Sequence, residues 1–170
     1  MNAEELKSLQ TPLKDKYRQQ PEAAQIILRA EGHLGEGVTC RIETGKSPVT
    51  AGLHSATGGD GLSACSGDML LEALVGCAGV TLNAVATALG IQLRDAKVRA
   101  EGDLDFRGTL GVSKDVPVGF ERIRLRFDLD TNATAEQIDT LIRLTERYCV
   151  VYQTLSRPAK IDVEYRSARA

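Results

Sequence analysis

Four cysteines stand at positions 40, 65, 77 and 149, and the only histidines are His33 and His54. Successive cysteine spacings of 25, 12 and 72 residues contain no C-x-x-C pair. Two scattered histidines do not complete a tetrahedral set, so neither zinc nor any other metal or cofactor is called for. The thiols themselves are the chemistry-bearing groups. Cys77 lies in Gly76-Cys77-Ala78-Gly79, whose small side chains let a substrate or another backbone approach the sulfur closely. The same sequence also suits a small hydrophobe at a tight helix crossing. The thiolate decides between the two readings. A thiol of pKa about 8.5 is only a few per cent ionised at neutral pH, and lowering it to about 6 takes roughly 3 kcal/mol of favourable interaction. Cys77 is too far inside its helix for the dipole alone to supply this, so an arginine or a hydrogen-bond donor must lie beside it. Cys65 opens the same helix and is a second candidate partner for Cys77, against the simpler reading of a structural cysteine.

The elements that position these residues belong to an ordinary globular chain. Its 170 residues, 42% hydrophobic and 26% charged, match one domain with a sizeable core. Lys and Arg number 21 against 23 Asp and Glu, a net charge of −2, so no excess positive field exists to draw nucleic acid or anionic lipid. Trp is absent and aromatics make up 4%, which removes the stacking platforms of single-strand binders. The start, Met1-Asn2-Ala3-Glu4-Glu5, has no signal-peptide character, so a cytoplasmic location is expected, where disulfides that form are catalytic or redox-sensing.

Residues 1–24 read as an N-terminal helical extension, a short helix broken by Pro12 and Pro21 that packs loosely, and residues 25–170 as the domain. Val38, Cys40 and Ile42 alternate with polar residues in strand fashion, and Gly45 and Pro48 suggest a hairpin returning over Val49 to Leu53. The glycine-rich stretch from His54 to Cys65 lacks the Lys-Ser/Thr ending of a phosphate loop and reads as a pocket rim. With Ser66 as cap and Gly90 as stop, Gly67 to Leu89 is a helix of about six turns. From Met69 to Leu89 it carries Glu72 as its one charge. A membrane span is set aside because Glu72, Thr81, Asn83 and Thr87 interrupt the run and no Lys/Arg cluster flanks it. A helix apolar on every side must be covered by a second helix or a second subunit. Strands follow over 97–106 and 122–129, each with one wet face. Arg122, Arg124 and Arg126 form a solvated row. Thr134 and Gln137 make a capping box for a helix whose stripe runs from Ile138 to Cys149, ended by Val150-Val151, and Ile161, Val163 and Tyr165 form a last strand. The class is α+β with mostly antiparallel sheet.

Two segments resemble one family. Leu70-Leu71-Glu72-Ala73-Leu74-Val75-Gly76-Cys77 is similar to the central-helix motif of the OsmC and organic hydroperoxide resistance proteins, and Glu146-Arg147-Tyr148-Cys149-Val150-Val151-Tyr152-Gln153-Thr154-Leu155 resembles their second cysteine segment, where Pro is more usual than Val150. The resemblance covers about Gln25 to Arg166. It implies antiparallel sheets wrapped around long central helices in an intertwined homodimer. It also implies a thiol peroxidase: Cys77 attacks a hydroperoxide, Cys149 resolves the sulfenic acid as a disulfide, and a cellular dithiol reduces the product, with no cofactor. Better-known members add an acidic residue before the attacking cysteine and an activating arginine on the early strands. Asp68 and Arg41 occupy those regions here. The alternative is an OsmC-like protein that binds an apolar small molecule without peroxidase turnover.

Overall fold

The computed structural model describes residues 3–34, 40–42, 51–59, 61 and 64–166. At its centre is α2 (Ser66–Leu89), 24 residues long. Ser66 is its first helical residue rather than its cap; extended Cys65 takes the cap position and contributes no side-chain hydrogen bond. The helix stops at Gly90, whose φ of 67° is left-handed backbone that glycine adopts without steric penalty. Leu71, Leu74, Val75, Ala78, Leu82 and Ala86 are buried along it, and each large side chain withdrawn from water contributes about 1.5 to 3 kcal/mol. Met69, Leu70, Val80 and Leu89 on the same helix stay exposed. The chain therefore covers α2 only in part. By length and composition α2 could cross a bilayer, and 39% of that apolar stretch is buried here against the protein's own elements.

The covering comes from both sides. A four-stranded antiparallel sheet has the order β2-β1-β5-β6, formed by β1 (Gln25–Leu34), β2 (Cys40–Ile42), β5 (Leu93–Asp105) and β6 (Arg122–Thr131). On β5 the residues Ala96, Val98, Ala100, Gly102 and Leu104 point inward and alternate with polar Lys97 to Asp103, as the period of two requires. Gly102 is needed because a Cβ there would come 2.4 Å from the ring of Phe120, which folds over the strand. Within the arginine row Arg124 is ion-paired, gripping Asp103 at 2.5 and 2.7 Å. Helices α4 (Ala135–Tyr148) and α5 (Val150–Ser156) pack against α2, and the capping box of Thr134 and Gln137 forms as expected.

Several expectations are corrected. The N-terminal segment is one helix, α1 (Ala3–Gln19), continuous through Pro12. It is not loose, since Tyr17 is buried and its hydroxyl donates to the carbonyl of Ala56 at 2.6 Å. The hairpin at Gly45 and Pro48 lies outside the described residues. The stretch beyond it, β3 (Ala51–Gly52), pairs in parallel with β4 (Ala64–Cys65) rather than returning along β2. Phe106 opens a short helix, α3 (Phe106–Thr109), instead of ending a strand, because Asp105 caps it through the N–H of Arg107. Val150 and Val151 begin α5 rather than ending a helix, and Tyr148 faces solvent. The last strand is absent: residues 158–166 have no regular structure, and Ile161, Val163 and Tyr165 are 84%, 86% and 90% exposed. A strand needs an edge to pair with, and this segment meets none among the described residues.

Asp105 ties the end of β5 to the loop that enters α2. Its buried carboxylate takes the Arg107 guanidinium at 2.9 and 2.5 Å, and the ring of Phe106 next to it stacks on His54 at 5.0 Å. The hydrogen bonds from Arg107 hold the Asp105 carboxyl below the usual range despite burial. A depressed folded-state value means that the stabilisation is present above the ordinary Asp value of about 4 and is lost as pH falls through the lower one. Asp105→Asn should lower the urea midpoint at pH 7, because it removes the charge that Arg107 favours. Urea midpoints of the two proteins should converge as pH falls below the ordinary Asp value of about 4 and through the depressed one.

Candidate active site

Cys77 lies near the middle of α2, on the side turned to the junction of α4 and α5. That junction is built by one residue. Cys149 has φ −72° and ψ 108°, so the helical path breaks there: its N–H closes α4 on the Thr145 carbonyl at 2.9 Å and its carbonyl starts α5 by accepting from Gln153 at 2.9 Å. Its Sγ accepts the N–H of Tyr152 at 3.4 Å and so caps α5 as well. Breaking the helix leaves the first amides of α5 without intrahelical partners. Those of Val150 and Val151 lie near enough to Cys77 to favour its thiolate.

Two thiols therefore meet in unlike settings. Burial by itself would push the Cys77 thiol up, yet hydrogen bonds from the Val151 amide, the Cys149 thiol, the Val150 amide and the Thr81 hydroxyl together bring it below the ordinary thiol value. Cys149 is 1% exposed, and burial is the main reason that it is pushed up to about 11. Negative charge on Cys77 adds to that rise, while the Tyr152 amide opposes it. One sulfur is thus poised to ionise and its neighbour to remain a thiol that donates to it. Both are free, as is Cys65, which starts α2 three turns away from the pair.

The other expected residues are placed differently. Asp68 is on α2 itself, nine residues before Cys77, which at 1.5 Å per residue is about 13 Å along the axis and beyond direct contact. Burial raises the Asp68 carboxyl, His54 lowers it, and Glu72 one turn on is raised by burial and by Asp68. His54 is a turn residue whose Nδ1 accepts the Ala56 N–H at 3.0 Å. Arg41 lies on β2 at the edge of the sheet, paired with His33, and its side chain falls outside the described residues. Sequence reasoning asked for a donor near Cys77 and looked to an arginine. The amides of Val150 and Val151 leave no trace in residue type, but Thr81, one helical turn after Cys77, was legible as a neighbour on the same face. Beside α5 opens a cleft of about 480 Å³ whose lining includes Leu74, Ile123, Leu125, Phe127, Tyr152 and Leu155. No group of His, Cys, Asp and Glu among the described residues is arranged to hold a metal ion.

A family model described as OsmC-like protein matches residues 58–164, which include both cysteines of the pair. The chain belongs to the OsmC-like family. Its fold agrees with that of an OsmC-like hydroperoxide resistance protein from Jannaschia sp. CCS1, with a TM-score of 0.60 over 86% of this chain and 97% of that one, at 15% identity. No curated protein matches it in sequence. The α+β class with an antiparallel sheet, expected from strand and helix periodicity, is the architecture of this OsmC-like protein.

The two thiols should separate by pH. Iodoacetamide at pH 8 should modify Cys77 well ahead of Cys149, and Cys149 should resist until the pH passes about 10, where its thiolate becomes appreciable. Peptide mass mapping of both sites across the pH series measures the order.

Proposed function

We propose that this OsmC-like protein is a cysteine-based peroxidase that reduces organic hydroperoxides or peroxide in stress defence within the cytoplasm. The observation that carries the reading is the contact of two thiols of opposite acid–base character at the α2 and α4–α5 crossing. A role in peroxide defence is also supported by the family and by the hydroperoxide resistance for which the structural relative is named. The Cys77 thiolate attacks one peroxide oxygen; the S–O bond forms, the O–O bond breaks, and the departing alkoxide takes a proton to leave as alcohol. Oxidation removes the negative charge on Cys77 that helps to hold the Cys149 thiol protonated. Cys149 then gives up its proton and attacks the sulfenic sulfur, forming the disulfide and releasing water. A cellular dithiol returns two electrons and two protons. Arg41 is the candidate cation for the departing oxygen, and Asp68 acts on the sulfur only through such an intermediary, given its distance along α2.

The cleft beside α5 is lined by Glu121, Arg122 and Glu146 as well as by apolar side chains, so it suits a substrate with both apolar and polar parts, and it equally supports the second reading, a small-molecule binding protein with inert thiols. The reactive unit in our reading is an intertwined homodimer of the domain formed by residues 25–170, with residues 1–24 as an added helix. Exposed Met69, Leu70 and Val80 of α2 and the unpaired row Ile161, Val163 and Tyr165 favour it, because each is an apolar surface that a second copy would cover.

Treating the reduced protein with one equivalent of cumene hydroperoxide should yield a Cys77–Cys149 disulfide by non-reducing peptide mapping, and Cys77→Ser should abolish peroxide consumption. Undiminished consumption by Cys77→Ser sinks the peroxidase reading and leaves the binding one. For the assembly, sedimentation at micromolar concentration should find a dimer. Val80→Asp, a change at a site exposed in the single chain, should dissociate it. A wild-type monomer would refute the dimer.

A further inference from the structure

A disulfide between Cys77 and Cys149 would join a half-buried sulfur to one that is 1% exposed, yet a reductant must reach it by direct sulfur contact. The element that follows Cys149 packs Val151, Tyr152 and Leu155 against the buried cluster that holds it. Helix α5 has seven residues, too few to persist on its own, and it runs into the irregular segment 158–166, so its far end is not anchored by regular structure. Its near end depends on few bonds besides the Val150 and Val151 amides that face Cys77: the Tyr152 N–H on the Cys149 Sγ at 3.4 Å, the Gln153 N–H on the Cys149 carbonyl at 2.9 Å, and the Gln153 side-chain amide on the Glu146 carbonyl at 2.8 Å. The first of these uses the sulfur that is to be oxidised.

We propose that α5 is a redox-operated lid: the Cys149 sulfur that caps it in the reduced protein is drawn toward α2 when it bonds to Cys77, and the loosened helix uncovers the disulfide to its dithiol reductant. The inference rests on the pairing of Cys77 with Cys149 but not on peroxide being the oxidant. Closing the cycle restores the thiol, the cap and the cover, so access is offered only while there is a disulfide to reduce. Val151, Tyr152 and Leu155 pack against the core from α5, and Tyr152 and Leu155 also line the neighbouring cleft, so the same loosening widens that cleft.

The test uses the full chain oxidised with diamide, whose N=N bond accepts the two electrons and two protons of the thiols. Amide hydrogen exchange over residues 150–156 should be several-fold faster in the oxidised than in the reduced protein, with α2 unchanged. Gln153→Ala, which removes the other side-chain tether, should let dithiothreitol reduce the disulfide several-fold faster than in wild type. Equal or slower exchange of α5 after oxidation, or an unchanged reduction rate in Gln153→Ala, overturns the lid. Failure of diamide to join Cys77 to Cys149 overturns the lid and the peroxidase mechanism together, whereas a diamide disulfide in a protein inert to hydroperoxide removes the mechanism alone.

Discussion

Everything in this protein is arranged around the need to keep one apolar helix out of water. α2 has hardly a polar face to offer solvent, so the sheet is laid against one side of it and α4 with α5 against another. That demand also brings the two thiols together. A residue in the middle of a helix covered in this way is pressed against a neighbouring element, and at Cys77 the neighbour is the one place where the helical path of the chain is interrupted. The interruption at Cys149 supplies what a buried thiolate needs and an intact helix could not, namely amides without carbonyl partners. Burial and activation are normally in conflict for a thiol, and here the surface that buries Cys77 also carries the donors that offset the burial.

The legible part of the fold was the part governed by local periodicity. The alternation of β5 and β6, the apolar run of α2, its stop at Gly90 and the Thr134 capping box follow from spacing alone, and the structure has them. What could not be read depended on partners remote in sequence. Tyr17 looks like one aromatic in a charged segment until its hydroxyl meets Ala56, and Phe106 continues the strand alternation until Asp105 caps a turn instead. The last segment shows the opposite failure. Ile161, Val163 and Tyr165 have the strand period, but period expresses a readiness to pair, and pairing needs an edge that the described residues do not bring to them.

At the site, the cysteines were legible because thiols are rare and their flanking motifs are specific. The activating environment was not, because main-chain N–H groups carry no residue signature. The same gap holds for Asp68 and Arg41, whose types are visible in sequence while their distances are not. Val150 in place of proline gains meaning only in three dimensions, since a proline at that point would have no N–H to give Cys77.

The order of α2 in the chain has a cost during synthesis. The helix emerges from the ribosome after β1 but before β5, and Cys149, Val150 and Val151, which meet Cys77 from the other side, follow it by 72 positions or more. For that interval a long apolar helix exists with only part of its cover. Chains made from the N-terminus at about 5 to 20 residues per second spend seconds in such a state. The nascent protein is then a hydrophobic surface without its shield, and α2, the keel of the finished fold, is the segment that a holding chaperone would find.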